Sequence, residues 1–151
     1  MAASITRAEL FRFIDRQRLA VQASISPKLA PQAALIGIAV TERLEIIFDT
    51  LRSARKYPNL IANPAIALVI GWDGEITLQY QGIAQEIRTD SPSRWKEAYF
   101  RKWPDGRERE KWPGIAHFAV RPTWMRYSDF ASSPPLIREF DATSLELDGP
   151  L

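Results

Sequence analysis

The sequence has no cysteine and a single histidine, His117. Without cysteine there are no disulfides, thiolate nucleophiles, thiol redox centres, Cys-ligated zinc or iron–sulfur clusters, and the chain fits a reducing compartment. One histidine is too few for a His-rich metal centre and allows at most one Ser-His-Asp arrangement, so no metal site is expected. No apolar run approaches the roughly 20 residues that span a bilayer. Met1-Ala2-Ala3-Ser4-Ile5 lacks a basic stretch leading into an apolar one, so no export signal is expected. Charge of one sign is also scarce. Twenty Lys and Arg against 18 Asp and Glu leave +2, too little for a general attraction to nucleic acid or a membrane surface. The expectation is a cytoplasmic protein with neither of those partners.

What is present is the composition of an ordinary globular protein: 151 residues, 46% hydrophobic and 25% charged. A compact chain of this size buries roughly 70% of the surface its unfolded form exposes, enough for one core without covalent staples. The charge is unevenly spread. In residues 136–151 Arg138 stands against Glu139, Asp141, Glu146 and Asp148, so this tail carries −3 and residues 1–135 carry +5. The cationic body suits a small anionic ligand. The expected division is a domain over 1–135 and an acidic C-terminal arm over 136–151, lying on another surface or fraying.

Thr6-Arg7-Ala8-Glu9 has capping-box spacing, and Leu10, Phe11, Phe13 and Ile14 supply the one-sided apolar face of the helix that should follow. Short β-rich runs come next, at 19–25, 33–40, 44–48, 65–71 and 76–87. Asp73-Gly74 marks a hairpin, and Ile76, Leu78 and Tyr80 alternate with Thr77, Gln79 and Gln81, giving one buried face and one wet or ligand-facing face. Trp95, Ala98, Tyr99 and Lys102 share a helical face that Pro104 ends. Residues 101–114, with eight charges, read as a solvated loop. β character returns at 115–120 and 124–127 on either side of Arg121-Pro122. Many short antiparallel strands with a few helices predict a mainly β, α+β domain of barrel type.

The chemistry concentrates in residues 32–82. A strand at 44–48 runs into Asp49-Thr50-Leu51-Arg52-Ser53-Ala54-Arg55-Lys56, and a short helix should follow, closed by Asn63-Pro64. A helix start leaves about four amides unpaired and carries roughly half a positive charge. Ser53, Arg55 and Lys56 add a hydroxyl, a guanidinium and an ammonium, a set that suits a phosphate monoester. The same residues also read as a solvated helix start, and both readings stand at this point.

The segment resembles the FMN-binding split-barrel family that includes pyridoxamine 5′-phosphate oxidase. The resemblance is carried by Pro31-Gln32-Ala33-Ala34-Leu35-Ile36-Gly37, by Ile47-Phe48-Asp49-Thr50, by Ser53-Ala54-Arg55-Lys56, by Asn59-Leu60-Ile61-Ala62-Asn63-Pro64-Ala65-Ile66-Ala67-Leu68-Val69, and by the strand at 77–82. It covers about residues 8–90, with a weaker echo at Arg121-Pro122-Thr123-Trp124. It implies a six-stranded antiparallel Greek-key split barrel with peripheral helices, a homodimer, and FMN in clefts between the subunits.

Arg55 and Lys56 fall on the family's basic pair at the FMN phosphate, and Thr50 on the threonine beside the flavin. Gln32, Leu35, Asp49, Ser53 and Trp124 complete the implied cofactor-binding set. Gln32 and Gly37 stand where the oxidases carry an Arg and a Lys, and Asp49 stands for an aromatic residue. The Arg and His that hold pyridoxal phosphate have no counterpart in the acidic tail, so a true pyridoxamine phosphate oxidase is not implied.

The expected function is an FMN-dependent oxidoreductase acting between a small-molecule substrate and an electron donor. The alternatives are a non-catalytic module holding flavin or haem in the same cleft, and a nucleic-acid binder. No catalytic acid or base is assigned, because flavin chemistry belongs to the cofactor. Elsewhere the bland readings are preferred: core or interface packing for the five tryptophans, a satisfied half-buried side chain for His117, and a solvated charge run for Glu108, Arg109, Glu110 and Lys111.

Overall fold

A computed structural model describes residues 4–144. Helix α1 (Arg7–Asp15) starts at the capping box: Thr6 Oγ1 accepts from Glu9 N–H, and Glu9 accepts from Thr6 N–H at 2.8 Å. Leu10, Phe13 and Ile14 are its buried face. Antiparallel pairing then joins β1 (Leu19–Ile25), β2 (Pro31–Gly37), β3 (Ala39–Val40), β4 (Ile46–Leu51), β5 (Ala65–Ile70), β6 (Ile76–Glu86), β7 (Ile115–Asp129) and β8 (Leu136–Asp141). Helix α2 (Lys56–Ala62) follows β4, while α3 (Ser93–Lys102) and α4 (Gly106–Arg109) lie between β6 and β7.

The sheet order is β2-β1-β5-β6-β7-β4-β3. Its two ends are consecutive in the chain, so a bend at Ile38, whose N–H is held by Arg18 O, closes the sheet into a split barrel. The expected six strands are β1, β2, β4, β5, β6 and β7. The two-residue β3 continues β2, and β8 is added beside β7. Inward residues of every strand, including Ile36, Phe48, Leu68, Tyr80 and Phe118, form the main core with α1. A second core lies outside the barrel, where Trp95, Tyr99 and Phe100 of α3 cover Ala39, Ile47 and Ala119. Among the described residues no helix is long and apolar enough to cross a membrane.

Two local expectations change. Arg121-Pro122 does not divide a strand: β7 runs through it, with a bulge opposite Gln81 and Gly82 that accommodates a residue lacking an N–H. Gly82 is required there because a Cβ would collide with the Arg121 carbonyl. Residues 101–114 are not simply a solvated loop, since they contain α4 and an anchored Arg109. The tail, expected as an arm lying on another surface or fraying, begins as a strand along β7. Leu136–Asp141 pairs with Trp124–Asp129, Phe140 packs on the core, and Glu139 accepts from Arg126 at 3.0 Å. Its last residues, 145–151, lie outside the described residues.

Candidate functional site

The end of β4 divides its side chains between two environments, because successive residues point to opposite faces. Thr50 turns with Phe48 toward the barrel interior and the start of α2, while Asp49 turns with Ile47 toward α3 and α4.

On the α2 side, Arg52 secures the turn. Its guanidinium donates to Ile115 O and Glu86 at 2.7 Å each and to Tyr57 Oη at 3.2 Å, and Tyr57 itself donates to Glu86. Arg52 is therefore a structural clamp. Asn59, buried on the inner side of α2, donates to Ser24 Oγ at 3.1 Å and to Gln32 Oε1 at 2.9 Å, fastening the helix over β1 and β2. The helix start itself offers less than its sequence suggests. Tyr57 N–H is taken by Ala54 O at 3.1 Å, and Pro58 has no N–H.

A cavity of about 80 Å³ remains beside this network, lined by Gln22, Ser24, Gln32, Ala33, Ala34, Arg55 and Lys56. Lys56 is half-buried. Loss of hydration pushes its pKa below the ordinary lysine value, and its one recorded contact is a long 3.5 Å approach to Thr50 Oγ1. Gln22 is buried, and its Oε1 has no partner among the described residues. An unsatisfied buried amide costs roughly 1–3 kcal/mol. A half-turn of that amide presents its NH₂ instead, so the cavity can offer an amide donor beside an ammonium and a guanidinium, the donor set an anion needs.

Of the expected set, Gln32, Thr50, Arg55 and Lys56 come together here, with Ser53 exposed in the adjoining turn. Leu35 and Trp124 do not join them within one chain. Both face outward on the sheet, Leu35 opposite Val21 and Trp124 opposite Gln81. Gln22, Ser24 and Asn59 were not anticipated. Their available signal was the β1 alternation itself, which puts two polar residues on the inward face beside Ala20. At Gly37 a Cβ would meet the Trp103 ring at 2.9 Å. Trp103, held by a 2.9 Å bond to Ile38 O, fills the volume that a longer side chain would need, so position 37 cannot supply a ligand from that side.

On the other face, Asp49 accepts from Arg109 Nε at 2.9 Å. Arg109 also donates to Tyr99 Oη at 3.0 Å and to Asp105 at 2.5 Å, so it is not part of a solvated charge run. Burial, then the Asp49 charge, holds the Tyr99 phenol above its ordinary range. His117, opposite Asp49 across the β4–β7 ladder, packs edge-on against Tyr99 and Phe100. It is 4% exposed, and its Nε2 has no partner among the described residues, which corrects the expectation of a satisfied half-buried side chain. Burial, with nearby Lys96 as the next cause, lowers its pKa and keeps the ring neutral near pH 7. Among the described residues no group of three or more acidic or histidine side chains is placed to hold a metal ion.

The profile of the pyridoxamine 5′-phosphate oxidase family matches residues 6–129, and the chain belongs to that family. Solved structures agree on the fold at low identity. A haem-binding protein from Mycobacterium smegmatis superposes with a TM-score of 0.79 at 12% identity, over 95% of this chain and 61% of that one, so this chain spans less than two thirds of its length. A pyridoxamine 5′-phosphate oxidase-related, FMN-binding protein from Nostoc punctiforme gives 0.65 at 12% identity, over 82% of this chain and 80% of that one. The haem storage protein HutZ of Vibrio cholerae gives 0.64 at 14% identity, over 76% and 88%. Comparison with curated protein sequences finds no match.

Proposed function

We propose that this chain is an FMN-dependent oxidoreductase that works as a homodimer and passes electrons between a reduced donor such as a nicotinamide and a small acceptor. The observation that carries the reading is the cavity under α2, where the unpartnered Gln22 amide meets Arg55 and the partly desolvated Lys56. These residues fit a phosphate tail: two cations and an amide donor surround a space the protein does not fill. FMN, when bound, supplies the two-electron chemistry. The chain's own part is to hold the phosphoryl end with Arg55, Lys56, Gln22 and Gln32, and to orient the ring end past Thr50. Oxidation of pyridoxamine phosphate itself is not proposed, because Asp49, tied to Arg109, stands for the family's aromatic residue, and the Arg and His that hold pyridoxal phosphate have no counterpart in the tail.

The homodimer rests on an outer sheet face that is apolar where solvent would favour polar residues. Leu35, Val69 and Ile83 are 58%, 41% and 44% exposed, and Val21, Ala23 and Ala67 lie between them in register. An apolar-lined cavity of about 390 Å³ opens on the same face. Leu35 and Trp124 lie there, which is where a second copy would bring them toward a shared cleft.

The test is a spectrum and a titration. Purified protein mixed with FMN should acquire flavin absorbance near one per subunit, and NADH or NADPH should bleach it. Arg55→Ala combined with Lys56→Ala removes two charge-assisted contacts, each worth about 1.5–3 kcal/mol, so affinity should fall roughly a hundredfold or more. Unchanged FMN affinity in the double variant would falsify the phosphate site. A non-catalytic haem or flavin module is the second reading, favoured by the haem-binding structural neighbours. It predicts a bound chromophore that no donor reduces. Haem ligation through the single histidine would require α3 to lift, since His117 lies behind Tyr99 and Phe100.

A further inference from the structure

The loop between β6 and α3, the exposed side of α3 and the start of α4 enclose a cavity of about 360 Å³ that shares no lining residue with the one under α2. Its apolar part is Ile87 and the buried Phe100 ring. Around them stand three cations, Arg88, Lys96 and Arg107, with one carboxylate, Glu97, and the hydroxyls of Thr89, Ser91 and Ser93.

Three like charges on one small concavity repel unless counter-ions share the space. Lys96 has one, Glu110 at 2.9 Å. Among the described residues no carboxylate pairs with Arg88 or Arg107. Arg107 is nevertheless held at the cavity, with its guanidinium carbon 4.7 Å from the Phe100 ring centroid. Ser91 Oγ already accepts the Arg88 N–H at 2.8 Å, which leaves its own proton available to an incoming acceptor.

We propose that this cavity is a second binding site, for a phosphate monoester with an aromatic or short aliphatic body. The phosphoryl oxygens would take the donors of Arg88, Arg107 and the serine hydroxyls. A near-dianion matches the net +2 of the lining side chains better than a carboxylate does. The organic body would lie on Ile87 and Phe100, where an inorganic ion has nothing to cover.

Phenyl phosphate titrated into the full chain by calorimetry, with amide chemical shifts followed over residues 87–107, tests this. Saturable binding that moves those amides is expected, weakened about tenfold to a hundredfold by Arg88→Ala or by Arg107→Ala. Both are exposed side chains, so thermal midpoints should stay within a degree or two of the parent. In the Arg55→Ala, Lys56→Ala double variant the amides of residues 87–107 should still respond to phenyl phosphate with the parent's saturation, which separates this site from the proposed flavin site. Absence of saturable binding overturns the proposal, as does equal loss in the Arg55, Lys56 variant. Benzoate binding more tightly than phenyl phosphate overturns the phosphate class. Inorganic phosphate binding as tightly as phenyl phosphate overturns the role given to the apolar floor.

Discussion

Two buried polar clusters sit at opposite ends of β4, and they are built differently. At its start Glu45, 2% exposed, accepts from Arg94 Nε and Nη2 at 3.0 and 2.9 Å, from Trp95 Nε1 at 2.8 Å and from Thr41 Oγ1 at 2.8 Å. Burial pushes the Glu45 pKa up, but the bonds from Arg94, Trp95 and Thr41 outweigh it, and the group titrates below its ordinary 4.5. At the far end Asn59 Nδ2 donates twice, while Gln22 is left with an orphaned oxygen and Lys56 with one long contact among the described residues. A buried carboxylate with both oxygens engaged pins α3 and asks for nothing further. A cluster that leaves an amide oxygen and an ammonium short of partners next to empty volume is where the proposed phosphate would complete the bonding.

The sharpest break of this contrast is Glu45→Ala. It strands a guanidinium and an indole N–H and should cost about 3–5 kcal/mol in urea unfolding, with loss of the near-ultraviolet circular dichroism of Trp95. Equal loss from Gln22→Met would erase the distinction between the two ends. Gln22→Met should instead be neutral or stabilising by up to about 1 kcal/mol, because an apolar group of similar shape replaces an unpaired amide, while FMN affinity falls.

Acid separates Glu45 from His117, on the outer face of β7, by pH window. His117 titrates below its ordinary 6.5 when folded. The unfolded chain therefore takes up the proton first, and stability is full above that value and lost as pH falls below it. The slope is at most about 1.4 kcal/mol per pH unit. Glu45 is held below 4.5, so its contribution is lost only further down. His117→Phe should flatten the first limb of a plot of unfolding midpoint against pH and leave the second. The smallest effect belongs to the exposed pair Lys111 and Glu108, 3.3 Å apart, whose removal should change stability by less than about 0.5 kcal/mol.

The parts legible in the sequence are those whose cause is local. Thr6 and Glu9 are three residues apart and satisfy each other, so α1 begins where the motif says. The alternation in β6 places Leu78 and Tyr80 inside and Gln79 and Gln81 outside without reference to any other strand. Arg55 and Lys56 were identifiable as a basic pair at a strand-to-helix junction. The continuity of β7 through Pro122 was not, because a proline reads as a breaker until pairing with β6 shows that β7 absorbs it with a bulge at Thr123. The anchoring of Arg109 was equally invisible. Its carboxylate partner, Asp49, lies 60 residues away, and a local charge run looks the same whether one member is clamped or solvated.

Composition and short-range pattern therefore determined a cysteine-free, mainly β chain with a cationic body and a basic strand-to-helix junction at Arg55 and Lys56. Hydrogen bonding and side-chain alternation within a few residues are enough for that. Closure of the barrel decided the rest. Only when β1 lies between β2 and β5, and α2 lies over β1, do Gln22, Gln32, Asn59 and Lys56 meet around one cavity. Whether a buried amide is satisfied depends on groups brought in from distant strands, and no stretch of sequence read by itself contains that information.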